Sequence, residues 1–218
     1  MGTYNNKYYE PLEQMMAIRH QYMSKILRDH SGQDIYEFFK DKKVLDLGCG
    51  TGEFLNNYCG MGAVCSGIDI VNNFKIRNKM NFKLINTEAN KFLKNCKKKF
   101  DVVFLFEFLE HLKEEDKHKL FKNLSKNLNK NAYIFISTLN KNLLSKYLAI
   151  NIAENFLKLL PKNTHEFNLF LSPSKLQTIV RKYNFNLVNV KGIQYNPILK
   201  SFKLSRIDLV NYFGTLKY

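Results

Sequence analysis

A short apolar run that leads directly into a glycine-rich turn is the feature that most constrains this chain. The run begins at Val44 and passes into the sequence D-L-G-C-G-T-G at positions 46–52. Glycine has no Cβ and tolerates positive φ, so a turn that contains Gly48 and Gly50 lets the backbone approach a ligand closely. Because a strand, a glycine turn and a helix form the first unit of a nucleotide-binding α/β sheet, we expect a nucleoside-containing cofactor.

The spacing of the glycines narrows the choice of cofactor. The dinucleotide fingerprint is G-x-G-x-x-G, whose helix N-terminus meets a pyrophosphate. Here the spacing is G-x-G-x-G, which resembles the loop of methyltransferases that use S-adenosylmethionine, a donor without phosphate. Asp69 ends the next apolar run, where its carboxylate can accept both ribose hydroxyls of either cofactor. We therefore expect Gly48, Gly50 and Asp69 to contact S-adenosylmethionine, and Glu88, after the third run, to lie near the adenine; NAD and a purely structural turn are the alternatives.

Apolar runs that alternate with helix-length segments predict the rest of the core. Strands separated by helices imply βαβ crossovers and a parallel sheet with helices on both faces. We expect an α/β, Rossmann-like class I methyltransferase fold with a mainly parallel seven-stranded sheet. Residues 1–218 form one domain in this interpretation, with an N-terminal helical cap at 1–42 and the core at 43–218. The strands are expected at 44–47, 63–70, 82–85, 102–106 and 133–137, with a hairpin-like edge from 185–193 and 209–213.

Acidic residues and a histidine follow the fourth apolar run, which ends at Phe106. Glu107, Glu110 and His111 fall at the expected carboxyl edge of the sheet, where ligands bind in open α/β folds. Such a group can bind Mg²⁺, because hard oxygen ligands suit this ion. In the alternative interpretation Glu110 and His111 only cap the following helix. The solvated face of that helix would carry Glu114, Glu115, Lys117, His118 and Lys119.

Later segments resemble one particular family of methyltransferases. The segments are I-S-T-L-N at 136–140, L-P-K-N-T-H-E at 160–166, G-I-Q-Y-N-P-I at 192–198, F-K-L at 202–204 and V-N-Y at 210–212. They are similar to the ubiquinone-biosynthesis O-methyltransferases, and the resemblance covers about residues 43 to 213. A generic cofactor-binding fold does not require these segments, so they are more specific than the glycine loop.

The resemblance implies an activity and a set of site residues. The implied reaction transfers a methyl group from S-adenosylmethionine to phenolic hydroxyls of a polyprenylated catechol or demethylubiquinol. The family's cofactor contacts fall on Arg19, Gly48, Asp69 and Phe106. Enzymes of this family are associated with Mg²⁺, and Glu107, Glu110 and His111 occupy the matching E-x-x-E-H motif. The chain departs from the family in having no tryptophan and in reading M-A-I-R before and at Arg19, where the family usually has Asn-Pro.

Two histidines are candidates for the group that removes the phenolic proton. His165 lies in the L-P-K-N-T-H-E segment, and His111 follows the fourth strand. An imidazole is a suitable general base near neutral pH. Either residue is equally compatible with a structural role.

Charge and an amphipathic pattern bear on the partners of the chain. The formal net charge is +15, although lysine and asparagine are abundant throughout. Apolar residues recur every four positions in a lid helix expected at about 141–160, with lysines placed to reach an anionic membrane surface. No apolar run reaches the roughly 18 residues of a membrane span. We therefore expect a cytoplasmic protein on the inner face of the membrane, with a polyprenyl phenol or quinol substrate and other ubiquinone-biosynthesis enzymes as partners.

Two other functions stay open at this point. The positive charge also suits an RNA methyltransferase, but an RNA-reading module and a basic stripe interleaved with aromatic residues are missing, so nucleic acid is not expected. The Asn- or Asp-Pro-Pro-aromatic motif typical of enzymes that methylate planar amino nitrogens is also missing after Phe106. A scaffold that binds S-adenosylmethionine without turnover is the second alternative.

Overall fold

Two helices precede the sheet. The computed structural model describes residues 10–71, 82–142, 167–196, 201–208 and 210–218. The predicted helical cap consists of α1 (Glu10–Ser31) and α2 (Ile35–Phe39). Helix α1 ends just before Gly32. The φ of this residue is 71°, a left-handed conformation that glycine adopts readily. His165 and nearly all of the helix expected at 141–160 lie outside the described residues.

Five parallel strands form the first part of the sheet. Each runs into a helix or turn, as the alternating apolar pattern predicts. The glycine turn joins β1 to α3. The elements are β1 (Lys43–Leu47), α3 (Glu53–Gly60), β2 (Val64–Asp69), β3 (Phe82–Asn86), α4 (Ala89–Asn95), β4 (Phe100–Phe106), a 3₁₀ turn (Leu109–His111), α5 (Glu114–Leu124) and β5 (Leu128–Leu139).

Antiparallel strands complete the sheet. A second 3₁₀ turn (Phe167–Leu169) and α6 (Pro173–Arg181) lead to β6 (Asn186–Asn196), β7 (Ser201–Ser205) and β8 (Asn211–Lys217). The strand order among the described residues is β3-β2-β1-β4-β5-β8-β6-β7.

The fold class is confirmed, but the predicted number of strands is wrong. The described sheet has eight strands rather than seven, because β7 pairs with the outer side of β6. The predicted edge hairpin of 185–193 with 209–213 also needs correction. The strand β8 lies inside the sheet, between β5 and β6, and the edge hairpin is formed by β6 and β7. A short strand such as β7 acquires its structure from its partner, so its own five residues carry a weak signal.

Helices cover both faces of the sheet, as predicted. Alternate residues of each strand enter two separate apolar clusters, as the two-residue period of a strand requires. One cluster contains Leu45 and Leu105 together with residues of α4, α5 and α6. The other contains Val44 and Phe104 together with residues of α1, α2 and α3. The carboxyl ends of the five parallel strands, which carry the predicted site residues, lie between these two layers.

Candidate active site

The glycine turn after β1 has a conformation that requires glycine. Gly48, Gly50 and Gly52 have φ values of 80°, 54° and 82°. The amides of Gly48 and Cys49 both donate to the carbonyl of Ile68, at 2.8 and 3.1 Å, and so tie the turn to β2. A Cβ added to Gly48 would lie 2.8 Å from Cδ2 of Phe108. The turn is therefore held close to the segment that follows β4.

Asp69, at the end of β2, is fixed against the glycine turn. Its Oδ2 accepts a hydrogen bond of 2.8 Å from the amide of Gly50, and its Oδ1 accepts one of 2.8 Å from the amide of Val71. The Asn86 side chain donates to the carbonyls of Asp69 and Ile70, at 3.1 and 2.9 Å. Since each carboxylate oxygen can accept more than one hydrogen bond, Asp69 keeps acceptor capacity for two hydroxyl groups.

Arg19 brings a largely buried cation from α1 to the same place, with 16% of its side chain exposed. Its guanidinium carbon lies 4.8 Å from the ring centroid of Phe106 and 5.3 Å from that of Phe54. Nη2 donates to Oε2 of Glu107. Among the described residues, the buried Nε has no hydrogen-bond partner. Burial lowers the pKa of Arg19 to about 10, so the guanidinium stays charged at neutral pH.

A buried carboxyl and a phenol lie near Arg19. Asp46, which ends the apolar run before the glycines, is only 4% exposed. Burial raises the pKa of Asp46 to about 7, and the positive charge of Arg19 opposes the rise. Burial also raises the pKa of Tyr58, whose hydroxyl has no partner within the described part of the chain. Arg19, Asp46 and Tyr58 thus form a polar group beside an otherwise apolar layer.

Glu107 begins the segment after β4 in a strained conformation. Its φ is 46°, a region that side chains other than glycine rarely adopt and that is concentrated at functional sites. Ser137, at the end of β5, donates to Oε1 of Glu107 at 2.6 Å, and Arg19 donates to Oε2. The carboxylate is thus held from two sides, by β5 and by α1.

Glu110 and His111 point to different surroundings. Glu110 is 2% exposed and accepts a hydrogen bond of 2.9 Å from Oγ1 of Thr138, and burial raises its pKa to about 7. His111 is exposed, and partial desolvation lowers its pKa. Within the described ranges, no group of three or more His, Cys, Asp or Glu side chains is arranged to hold a metal ion. This arrangement of Glu107, Glu110 and His111 does not fit the magnesium site that the sequence predicts.

The structure brings most of the predicted cofactor residues together. Gly48, Gly50 and Asp69 form one hydrogen-bonded unit, and Arg19 packs on Phe106. The ring of Phe108, two residues after Phe106, lies against Gly48. Glu88 is exposed just beyond the end of β3.

Sequence reasoning missed three of the groups at this site. They are Asp46, Tyr58 and Ser137. Asp46 was recognisable, since it lies two residues before Gly48, at the end of a run that must be buried. The positions of Tyr58 and Ser137 depend on contacts between distant parts of the chain.

Comparison with known proteins agrees with the fold. The family of methyltransferase domains matches residues 16–190. Among solved structures, a SAM-dependent methyltransferase from Archaeoglobus fulgidus has a TM-score of 0.62 at 22% identity, covering 97% of this chain and 100% of that one. Magnesium protoporphyrin IX methyltransferase from Synechocystis, solved with bound SAH, has a TM-score of 0.64 at 15% identity, covering 100% and 89%.

The fold and the site define an S-adenosylmethionine-dependent methyltransferase of class I. Two curated relatives are more specific, and both are named ubiquinone biosynthesis O-methyltransferase. The protein from Pelagibacter ubique is 36% identical over 95% of this chain and 88% of its own length. The protein from Colwellia psychrerythraea is 34% identical over 94% and 85%. The chain belongs to the family of ubiquinone biosynthesis O-methyltransferases.

Proposed function

We propose that the chain methylates a phenolic oxygen of a polyprenylated catechol or demethylubiquinol, with S-adenosylmethionine held at the glycine turn. The observation that carries this proposal is the largely buried Arg19 guanidinium near that turn, with a buried Nε that lacks a partner among the described residues. A buried cation with unused donor capacity fits the carboxylate of the methionine moiety. The membership of the family supports the choice of acceptor.

The remaining cofactor contacts follow from the same geometry. Asp69 accepts the two ribose hydroxyls, while Gly48 and Gly50, which have no Cβ, let the backbone of the turn approach the ligand closely. Phe106 lies against the methionine end through its contact with Arg19. Glu88, beyond β3, is assigned to the adenine side. The carboxylate of Asp46, close to Arg19, suits the positively charged amino group of methionine.

The reaction is an in-line displacement. The phenolic oxygen forms a bond to the methyl carbon as the carbon–sulfur bond breaks, and the phenolic proton leaves to a base. Alignment of oxygen, carbon and sulfur contributes roughly 7 to 11 kcal/mol. A phenol with a pKa of about 10 is ionised to about one part in a thousand at neutral pH, so forming the phenolate costs about 4 kcal/mol.

His111 and His165 stay the candidates for the base, and only His111 lies in the described part. Desolvation lowers the pKa of His111, which favours the neutral imidazole that can accept a proton. The carboxylate of Glu107, held by Arg19 and Ser137 just after β4, adds negative charge at the same edge of the sheet. We derive no step through a metal ion.

Complementation tests this proposal. A strain that lacks its own ubiquinone biosynthesis O-methyltransferase should regain ubiquinone when it expresses this chain, and the accumulated catechol intermediate should disappear in mass spectra. Asp69→Ala should not complement, whereas Asp29→Ala, on the exposed side of α1, should. If the wild-type chain is soluble and binds S-adenosylmethionine but restores no quinone, the proposed acceptor is wrong.

We also infer contact with an anionic membrane surface. The support is the amphipathic pattern at 141–160, the net charge of +15 and a substrate that resides in a bilayer. None of the helices in the described ranges is long and apolar enough to cross a membrane. Flotation with anionic liposomes should recover the protein, and Leu148→Glu with Phe156→Glu should reduce the recovered fraction. Unchanged flotation of that double variant contradicts this contact.

A further inference from the structure

Lys117 is a buried cation that the proposed reaction does not use. The helical pattern of α5 predicts a solvated position, but the structure shows a lysine that is only 3% exposed. Its Nζ donates to the carbonyl of Leu112 at 2.7 Å and to the carbonyl of Leu169 at 2.8 Å. A buried ammonium group is costly unless its donors are satisfied, so these two bonds account for its position.

The local sequence of α5 does not favour a buried cation there. Lys117 is the fourth residue of the helix, after three acidic residues, and a positive charge near a helix N-terminus is unfavourable. Burial lowers the pKa of Lys117, and the negative charges of Glu110 and Glu114 oppose that effect. The stabilisation of Lys117 in this buried position therefore comes from its tertiary contacts rather than from the helix.

The two carbonyls belong to segments that emerge at the same edge of the sheet. Leu112 ends the turn after β4 that carries Glu107 and Glu110. Leu169 ends the 3₁₀ turn that lies beside the end of β5, where the amide of Leu171 donates to the carbonyl of Leu139 at 3.2 Å. Lys117 thus joins the segment after β4 to the segment beside β5.

The bonds of Lys117 do not reach the cofactor half of the site. Neither Leu112 nor Leu169 belongs to the glycine turn or to β2, which are held by the carbonyl of Ile68 and by Asp69. Loss of the ammonium group leaves the carbonyls of Leu112 and Leu169 without their donor, while the glycine turn keeps its own bonds to Ile68 and Asp69. A small displacement of residues that orient a substrate lowers the rate strongly.

We propose that Lys117 is a positioning residue for the acceptor half of the active site, clamping the 107–112 and 167–171 segments together through Leu112 and Leu169. The statement about the acceptor rests on the proposed function. The clamp itself rests only on the two hydrogen bonds.

Lys117→Met is the direct test, because methionine keeps the length and removes the donors. We expect kcat/KM for a catechol with a short prenyl chain to fall by about 10- to 100-fold. The Kd for S-adenosylmethionine, measured by calorimetry, should stay within about twofold of the wild-type value. Lys117→Arg, which retains charge and donors in a different geometry, should recover part of the activity. The matched control is Lys119→Met, two residues further along α5, which loses only an exposed ion pair with Asp116 and should behave as wild type.

Hydrogen exchange tests the clamp independently of which acceptor the enzyme methylates. In Lys117→Met the amides of 107–112 and 167–171 should exchange faster, while those of 46–52 keep their wild-type protection. This readout stays valid if the wild-type chain does not methylate the catechol probe, which would overturn the proposed function alone. Unchanged exchange, or equal weakening of acceptor and cofactor binding, overturns the clamp.

If Lys117→Met does not fold, Lys117→Arg decides the question. An acceptor KM raised at least about threefold, with an unchanged S-adenosylmethionine Kd, supports the clamp. An acceptor KM equal to the wild-type value, or a parallel rise of both constants, overturns it.

Discussion

The two halves of the active site are held in different ways. The cofactor half is built from neighbouring backbone: the glycine turn bonds to Ile68, and Asp69 accepts from the amide of Gly50. The acceptor half is built from side chains that come from distant parts of the chain, such as Ser137 on Glu107 and Thr138 on Glu110. Substitutions in the first half should therefore act on the donor, and those in the second half on the acceptor.

The largest effect is expected from Asp69→Ala. The change removes the acceptors of both ribose hydroxyls and the carboxylate that holds the amide of Gly50. Since hydrogen bonds to a charged group contribute about 1.5–3 kcal/mol each, the Kd for S-adenosylmethionine should rise by about 100-fold or more. Calorimetric titration measures it, with Asp29→Ala as control. A rise below about tenfold contradicts this role of Asp69.

Gly48→Ala should have the next largest effect. Alanine at this position must adopt a φ near 80°, and its Cβ meets the ring of Phe108. The turn and the segment after β4 are therefore pushed apart. We expect the Kd for S-adenosylmethionine to rise by about 10- to 100-fold, because the contact with Phe108 adds to a left-handed conformational cost of about 1–2 kcal/mol. Gly50→Ala is the matched variant, because a Cβ there meets no atom within 4 Å. Its Kd for S-adenosylmethionine should rise less. Equal losses contradict the role of the Phe108 contact.

Glu107→Gln tests the acceptor half of the site. The substitution preserves shape but removes the charge that Arg19 and Ser137 hold at the end of β4. We expect kcat to fall by about tenfold. The Kd for S-adenosylmethionine should not weaken, because Arg19 keeps its contacts with Phe54 and Phe106. Weaker donor binding with unchanged kcat would place Glu107 in the cofactor half.

Asp46→Asn should change the pH dependence of stability. The folded pKa of Asp46 is about 7, against about 4 for an unfolded chain. Between these values the folded state binds a proton that the unfolded state lacks, so the free energy of unfolding falls as pH rises and levels off above the folded pKa. Calorimetry should show a smaller loss of Tm between pH 5 and 8 for the variant than for the wild type. Equal slopes contradict the assignment.

Magnesium binding should give the smallest effect. Glu107 is held by Arg19 and Glu110 by Thr138, so the free enzyme lacks a ready set of ligands. We expect Mg²⁺ without acceptor to bind with a Kd of about 1 mM or weaker in calorimetry. Micromolar binding that Glu107→Gln abolishes would support the predicted magnesium site instead.

The sequence predicts the cofactor half well, because its signals are local. Gly48, Gly50 and Asp69 are recognisable from the spacing of glycines and from the acid at the end of the next strand. The burial of Asp46 follows from the same run. The short strand β7 was missed because its five residues form a strand only beside β6.

The acceptor half depends on packing between distant segments. On its helix, Lys117 resembles its exposed neighbour Lys119, and only the tertiary structure shows its bonds to Leu112 and Leu169. The E-x-x-E-H motif likewise does not show that Glu107 and Glu110 have different environments.

The most direct measurement follows a labelled methyl group. The purified chain, S-adenosylmethionine with an isotopically labelled methyl and a prenylated catechol are combined, and the product is analysed by mass spectrometry and NMR. The account predicts label on a ring oxygen, with transfer lost in Asp69→Ala and retained in Asp29→Ala. Binding of S-adenosylmethionine without any transfer, or label on a ring carbon, would contradict it.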